Sequence, residues 1–454
     1  MSSTSRARSA SPAPVVAERA RRRIARRLLP FLFILYIANY LDRTNLAYAA
    51  LEMIRDLHFT DKIFGIGAGI FFIGYLGLQI PGALLVERWS ARRWIAAIMI
   101  VWGGFTVLTA AVQTAGQLYG ARFLLGAAEA GFFPGIIVYV SHWFVRQDRA
   151  KATGNFMAAI PLSFVIGSPL AGWIVEQHWL HLQGWRWLFF LEGLPAVVLG
   201  AVTFFFLSDW PRDAAWLAPD ERHWITGELQ QERAAKSTVS SFSIWQALRY
   251  RPVVLLTLVN FLQYIGFYSF VFWFPTMLKQ LSGLSDFRVG MLGALPYLAG
   301  FVALQINGWH SDRTLERRWH VAAPLFLGVG ALLALAVLHA STAVAVGLFT
   351  LVGISVIALL SPFWAMPTEL LSESGAAASV GMINCLGSLA GFLGPYALGY
   401  LHTRTGSFKP GLLVMVVAMA AGGVLVLFVP SALGQSSGAP LFPRRQRFDH
   451  SMTE

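Results

Sequence analysis

Four ionisable side chains interrupt stretches that are otherwise apolar: Asp42 with the adjacent Arg43, then Arg122 and Glu129. Arg122 and Glu129 are seven positions apart, two turns of a helix, and so share one helix face. An arginine with little water around it presents a planar fork of donors that binds a carboxylate through two hydrogen bonds and stays charged. A carboxylate in a low-dielectric place takes up a proton more readily than one in water. Side by side, these groups can hold an organic anion and carry protons. Their other use is as mutual structural salt bridges.

The elements that must position them are set by composition. The 454 residues are 56% hydrophobic and 13% charged, about half the charge of a typical soluble domain. Apolar runs near 20 residues recur from Leu28 to Pro430, each long enough to cross a hydrocarbon core of about 30 Å as a helix. They predict an all-α membrane protein with twelve spans. The first six are expected near 28–50, 62–86, 93–113, 117–143, 152–176 and 186–208, and the last six near 252–279, 288–310, 320–339, 342–366, 375–401 and 409–430. At 1.5 Å per residue, Asp42 lies about 20 Å along the first span from Arg27, Arg122 about 6 Å into the fourth and Glu129 about 16 Å into it. Asp42, Arg43 and Arg122 can thus share a layer in the outer half, with Glu129 near the midplane; ionisable groups at such depth are costly and mark sites.

Charge sets the orientation. The net charge is +12. Its basic residues cluster between apolar runs, which points to membrane topology and not to nucleic acid. Arg88, Arg92 and Arg93 follow span 2; Arg146, Arg149 and Lys151 follow span 4; Arg313, Arg317 and Arg318 follow span 8; Arg444, Arg445 and Arg447 follow span 12. Odd-numbered exits are poorer in charge, so both termini are expected in the cytoplasm. Residues 1–27 and 431–454 read as disordered cytoplasmic tails, and 209–251 as a cytoplasmic linker between the halves 28–208 and 252–430. In that linker Pro219-Asp220-Glu221 opens a helix. Trp216, Trp224, Ile225 and Leu229 give it an apolar side suited to the membrane surface.

The halves repeat a pattern. After span 2 stands Glu87-Arg88-Trp89-Ser90-Ala91-Arg92-Arg93, and after span 8 Asp312-Arg313-Thr314-Leu315-Glu316-Arg317-Arg318. Each has an acid-Arg pair and two arginines beginning five residues after the acid. These loops resemble the signature loop of the major facilitator superfamily, built from six-span repeats with the substrate site between the halves. Glu87 and Ser90 depart from it, standing where that loop usually has Asp and Gly. Other stretches resemble the superfamily's anion:cation symporters, with members that carry tartrate-like hydroxy acids, sugar acids and aromatic acids. They are Asn39-Tyr-Leu-Asp-Arg-Thr-Asn45, Arg122-Phe-Leu-Leu-Gly-Ala-Ala-Glu-Ala-Gly-Phe-Phe-Pro-Gly135, Gly184-Trp-Arg-Trp-Leu-Phe-Phe-Leu-Glu-Gly-Leu-Pro195, Phe272-Trp-Phe-Pro-Thr-Met-Leu278 and the run from Phe363-Trp-Ala-Met-Pro-Thr-Glu369 to Gly394-Pro395.

The resemblance implies that Arg43 and Arg122 bind the substrate anion and that Asp42 and Glu129 carry coupling protons. It also implies that Tyr75, Trp364 and Asn384 stand where sugar-acid carriers have binding residues. Gln263, Tyr264 and Tyr268 on span 7 are further candidates to hydrogen-bond or stack on a ligand, with interhelical packing the other use of all six. Glu87, Arg88, Arg92, Asp312, Arg313 and Arg317 are expected to latch the outward-facing form on the cytoplasmic side. Glu192 and Arg186 read as structural.

The expected activity is proton-coupled symport of a small organic anion by a monomer in a bacterial inner membrane. Sodium in place of protons, and export of drugs or metabolites, stay open on these residues. A single cysteine, Cys385, leaves no internal disulfide and no metal cluster. The chain has no Gly-x4-Gly-Lys-Ser/Thr loop to cradle a nucleotide. No cofactor, metal, enzyme activity or nucleic-acid partner is expected.

Overall fold

The computed structural model describes residues 14–236, 250–338, 341–370 and 373–430. The expected tail 431–454, with Arg444, Arg445 and Arg447, lies outside them. So do residues 1–13, and so do the side chains of 82–88, which include the latch candidates Glu87 and Arg88.

The N-terminal half contains α1 (Pro14–Asp56), α2 (Asp61–Arg88), α3 (Ala91–Thr109), α4 (Ala115–Glu129), α5 (Phe132–Trp143), α6 (Arg146–Met157), α7 (Ala159–Val175) and α8 (Gly184–Phe206). The linker helix is α9 (Pro219–Lys236). The C-terminal half contains α10 (Arg251–Ser282), α11 (Asp286–Thr314), α12 (Arg318–Val337), α13 (Thr342–Ala358), α14 (Leu360–Leu370), α15 (Glu373–Thr405) and α16 (Lys409–Val426). Twelve helical segments are long and apolar enough to cross a membrane, one at each expected span. Span 4 is α4 with α5, span 5 is α6 with α7, and span 10 joins α13 to α14.

These three breaks each precede a proline. Pro134, Pro161 and Pro362 lack an N–H and leave the carbonyl four residues back without its helical partner. In span 10 the carbonyl so freed, that of Ala358, accepts from Asn307 Nδ2 at 2.9 Å. In span 4 the break falls directly after Glu129, where Gly131 lets Trp94 lie against the backbone and donate to the Gly131 carbonyl at 3.2 Å.

Two expectations change. The first helix begins at Pro14, well before the expected start at 28. Its 43 residues span about 64 Å, roughly twice the hydrocarbon thickness, so the Arg-rich N-terminal third protrudes. It is held by ion pairs that a sequence does not display: Arg21 grips Asp148 at 2.6 and 2.5 Å, and Arg19 and Arg23 both reach the fully buried Glu221 at 2.8 Å. Second, α9 turns its apolar side to protein, with Ile225 and Leu229 in the core. Arg149 ties its far end to the bundle through Glu232 at 2.7 Å.

The halves meet closely at the end of the bundle opposite the termini. A Cβ on Gly172 of α7 would stand 2.6 Å from the Asp286 carbonyl, and one on Gly290 of α11 2.4 Å from that of Ser168. Gly65 of α2 likewise faces the Pro395 carbonyl of α15 at 2.6 Å. Only glycine permits these backbones so near, and an alanine would cost about 1–3 kcal/mol in overpacking. At the same end Lys62 N–H donates to Thr403 Oγ1 at 2.9 Å, and His402 Nδ1 contacts Asp61 at 2.6 Å.

Candidate functional site

Helices α1, α2, α4, α7 and α10 bring a set of aromatic and charged side chains to the middle of the bundle. Asp42 is fully buried; Trp102 of α3 donates to it at 2.6 Å and Asn45 at 3.5 Å. The next residue, Arg43, points a different way, since neighbours on a helix diverge by about 100°. Its Nε pairs with Glu129 Oε1, whose other oxygen is buried without a hydrogen bond. The Arg43 guanidinium lies 5.0 Å from the ring centres of both Tyr40 and Tyr75, and 5.6 Å from Phe71. Arg122 is fully buried and sits 4.9 Å from the same Phe71 ring. None of its three guanidinium nitrogens has a hydrogen-bond partner.

The four charges therefore gather, but not as one interlocked set of salt bridges. Arg43 and Glu129 are paired, Asp42 is held by an indole, and Arg122 is a buried cation with its donors unused. A buried guanidinium without hydrogen bonds is expensive to leave so, and an anion is the group that would satisfy it.

Around this cluster the rings follow one another: Tyr40 to Phe164 at 6.0 Å, Phe164 to Phe267 at 6.5 Å, Phe267 to Tyr268 at 5.1 Å, Tyr268 to Phe72 at 4.4 Å, Phe72 to Phe71 at 5.2 Å and Phe71 to Tyr75 at 5.9 Å. Arg43, over both Tyr75 and Tyr40, closes the circuit. It crosses between the halves twice, at Phe164–Phe267 and at Phe72–Tyr268. Tyr264 stands beside Tyr268 at 5.3 Å. Gln263 is buried and donates to Asn260 at 2.8 Å; Asn260 donates to the Ile383 carbonyl at 3.1 Å, next to Asn384. Gln263 Oε1 is buried and unpaired. Trp364 of α14 contacts Phe363 at 5.2 Å, and among the described residues no ring contact joins it to the circuit.

Sequence reasoning missed Trp102, Phe71, Phe164 and Asn260. Trp102 and the phenylalanines read as ordinary membrane aromatics. Asn260 had a signal, one turn before Gln263 and Tyr264. Tyr40 was within a quoted stretch but was not singled out.

The loops after spans 2 and 8 have corresponding anchors. In the first, Ser90 Oγ donates to Asp209 at 2.7 Å, the Arg92 N–H donates to it at 3.1 Å, and the Arg92 guanidinium stands 3.7 Å away. In the second, Arg317 pairs with Asp312 at 2.6 Å and with Glu369 at 2.7 Å, and Arg318 donates to the Leu427 carbonyl at 3.4 Å. Arg313 lies over Trp309. Burial works against the charge on Glu316 in this loop, but the Trp319 N–H and the His320 ring outweigh it and hold the carboxyl below its ordinary range. Among the described residues, none of the pairs made by Arg92, Asp312 and Arg317 joins the two halves: Arg92 reaches Asp209 at the start of the linker, and Asp312 and Arg317 pair within the C-terminal half. Arg186 donates to the Ala110 carbonyl at 2.7 Å and stands 3.6 Å from Asp56 at a span end, while Glu192 is buried.

Comparison with known proteins agrees with this architecture. Residues 32–395 match the family model described as the Major Facilitator Superfamily. The chain belongs to the major facilitator superfamily. It is a multi-pass membrane transporter, not an enzyme. A protein of Agrobacterium vitis named as a tartrate transporter is 43% identical over 431 residues, covering 94% of this chain and 98% of that one. A quinolone resistance transporter of Acinetobacter baumannii is 34% identical, over 91% of this chain and 95% of its own. The crystal structure of a bacterial homologue of the human lysosomal transporter Spinster, inward-facing and unoccupied, shares the fold at a TM-score of 0.70 and 19% identity, covering 91% of this chain and 96% of that one.

Proposed function

We propose that this facilitator carries a small hydroxy carboxylate together with protons, and that the anion binds between Arg43 and Arg122 inside the ring circuit. The observation that carries the reading is Arg122: a fully buried guanidinium whose three nitrogens lack hydrogen bonds. The relative named as a tartrate transporter supports the substrate class.

The geometry supports a way for protons to be coupled to the anion. With Asp42 and Glu129 charged, the cluster of two acids and two arginines is neutral, and Glu129 occupies Arg43. A proton on Glu129 releases Arg43 to the substrate carboxylate, and a proton on Asp42 removes a repulsive charge. The loaded site then holds anion against two cations. On the inner side, loss of the protons restores the Arg43–Glu129 pair and expels the anion. Gln263, Tyr264, Tyr268 and Asn384 supply neutral groups for hydroxyls.

Positive-inside orientation puts the termini in the cytoplasm, so the end closed by Gly172, Gly290 and Gly65 is the outer one. Export is the second reading, favoured by the relative named for quinolone resistance. Proteoliposomes loaded with L-tartrate separate the two. Counterflow with accumulation driven by an acid exterior is expected. Tartrate counterflow without response to the pH gradient would refute the coupling, and quinolone efflux without tartrate counterflow would refute the substrate class.

A further inference from the structure

The protruding part of α1 carries an arginine surface that lies outside the proposed transport site. A cavity of about 830 Å³ opens there, lined by Arg19, Arg22, Arg23, Arg26, Arg27 and Trp216 among others. Some of this charge is committed within the protein. Arg19 pairs with Asp220 and Glu221, and Arg23 with Glu221. Among the described residues Arg22 pairs only with Glu18 of its own helix, and both are well exposed. Arg26 is exposed and has no acidic partner among the described residues. Arg27 lies 4.5 Å from the Phe206 ring and 5.0 Å from that of Trp216, and its buried Nε has no hydrogen-bond partner.

The position of this surface selects its ligand. Arg19, Arg22 and Arg26 lie on one exposed stripe of α1, at spacings of three and four, opposite the buried Ala20, Ile24 and Leu28. The same side of the helix continues through the exposed Pro30 and Ile34, about 6 and 12 Å below Arg26. Beside it the end of α8 presents Phe205, 83% exposed, next to the Phe206 that lies under Arg27. Cations thus stand directly above an apolar track along the spans. A soluble anion would meet the arginines but have no use for the track, whereas a phospholipid fills both.

We infer that this cavity is a headgroup site for an anionic phospholipid of the cytoplasmic leaflet. Arg22 and Arg26 take the phosphate oxygens, since guanidinium forks bind phosphate in pairs of hydrogen bonds, and Arg27 at the rim is held in place by its two aromatic neighbours. The acyl chains run down past Ile34 and Phe205. Because Arg19 and Arg23 of the same segment hold Glu221 at the start of α9, an occupied site also braces the linker against the N-terminal half.

The test uses the full chain purified in detergent, with native mass spectrometry and thermal unfolding as readouts. The probes are phosphatidylglycerol, phosphatidylcholine of the same acyl chains, and inorganic phosphate. Wild type is expected to retain phosphatidylglycerol adducts and to unfold at higher temperature with that lipid, less so in high salt. Replacing both Arg22→Gln and Arg26→Gln, which leaves the anchors to Asp148, Asp220 and Glu221 intact, should weaken the adducts about ten- to thirtyfold. Arg22→Lys with Arg26→Lys should keep most of the binding. Equal retention of phosphatidylcholine would overturn the inference, as would undiminished phosphatidylglycerol binding by the Gln variant. Equal stabilisation by inorganic phosphate would show a soluble-anion site instead.

Discussion

The N-terminal half buries charge where the C-terminal half buries amides and hydroxyls. Asp42, Arg122, Glu129 and Glu192 are all buried in spans 1, 4 and 6. Among the described residues, the buried polar side chains of spans 7 to 12 are neutral, Asn260 and Gln263 among them, except for Asp286 at the first turn of α11, which pairs with Lys279. The two six-span halves therefore differ in the chemistry that they bury. A charged half can change protonation and so change what it binds. A neutral half can read hydroxyls without joining that titration. In the proposed cycle, coupling resides in the first half and selectivity in the second.

Removing Arg43, one of the two cations of the charged half, should have the largest effect. Arg43→Ala deletes a charge-assisted fork and leaves Glu129 buried without its ion pair. Tartrate affinity, read by calorimetry on protein that still unfolds cooperatively, is expected to fall by about a hundredfold or more. Unchanged affinity would take Arg43 out of the site and with it the division between the halves.

Next is Glu129→Gln, which imitates the protonated carboxyl and frees Arg43. Tartrate exchange between two loaded faces should persist. Uphill accumulation under a pH gradient should be lost. Full accumulation by this variant would mean that the coupling proton sits elsewhere, and Asp42, held by Trp102, is then the group to replace.

A smaller effect is expected from the neutral half. Tyr268→Phe and Gln263→Leu each keep volume and remove hydrogen-bonding capacity, at a cost of about 1–3 kcal/mol to whatever hydroxyl they serve. The expected signature is a rise of about tenfold in KM for tartrate, little change for succinate, which lacks the hydroxyls, and an intact pH response. A loss of pH-driven uptake in either variant would break the separation of roles.

Much of this was legible in the chain because membrane burial is an unusually strict constraint. An ionisable residue in an apolar run has few uses, so Asp42, Arg43, Arg122 and Glu129 could be singled out, and the span count followed from run length. Which partner each one takes could not be read. The Arg43–Glu129 pair and the Asp42–Trp102 hydrogen bond join residues 86 and 60 positions apart, and rotation about the helix axes decides both. The ring circuit was hidden for a different reason: Phe71, Phe72 and Phe164 have the same composition as lipid-facing aromatics, and only packing tells them apart. The helical start at Pro14 was missed because an Arg-rich segment is apolar-poor, and its stability comes from Asp148 and Glu221, far away in sequence.

The smallest effect expected in this conformation concerns the loop acid Asp312. Its partner Arg317 is nearly buried and keeps Glu369 at 2.7 Å and Ser311 Oγ at 2.9 Å if Asp312 is lost, whereas Asp312 itself is 70% exposed. An exposed ion pair contributes about 0–1 kcal/mol. Asp312→Asn should therefore leave tartrate affinity and the unfolding temperature almost unchanged. The proposed latch places the value of this acid in the other conformation, where the cytoplasmic ends of the halves close and its charge can reach a helix end or arginines of the opposite half. The variant should then favour the inward-facing form. Transport should slow several-fold, and cysteines introduced on the cytoplasmic side should label faster while those on the outer side label more slowly. Arg317→Ala supplies the contrast, because it breaks contacts present in this conformation and should lower the unfolding temperature as well. If Asp312→Asn changes neither transport rate nor labelling, the acid has no part in switching, and the loop after span 8 is a local brace, as the Arg92–Asp209 contact after span 2 is between the first half and the start of the linker.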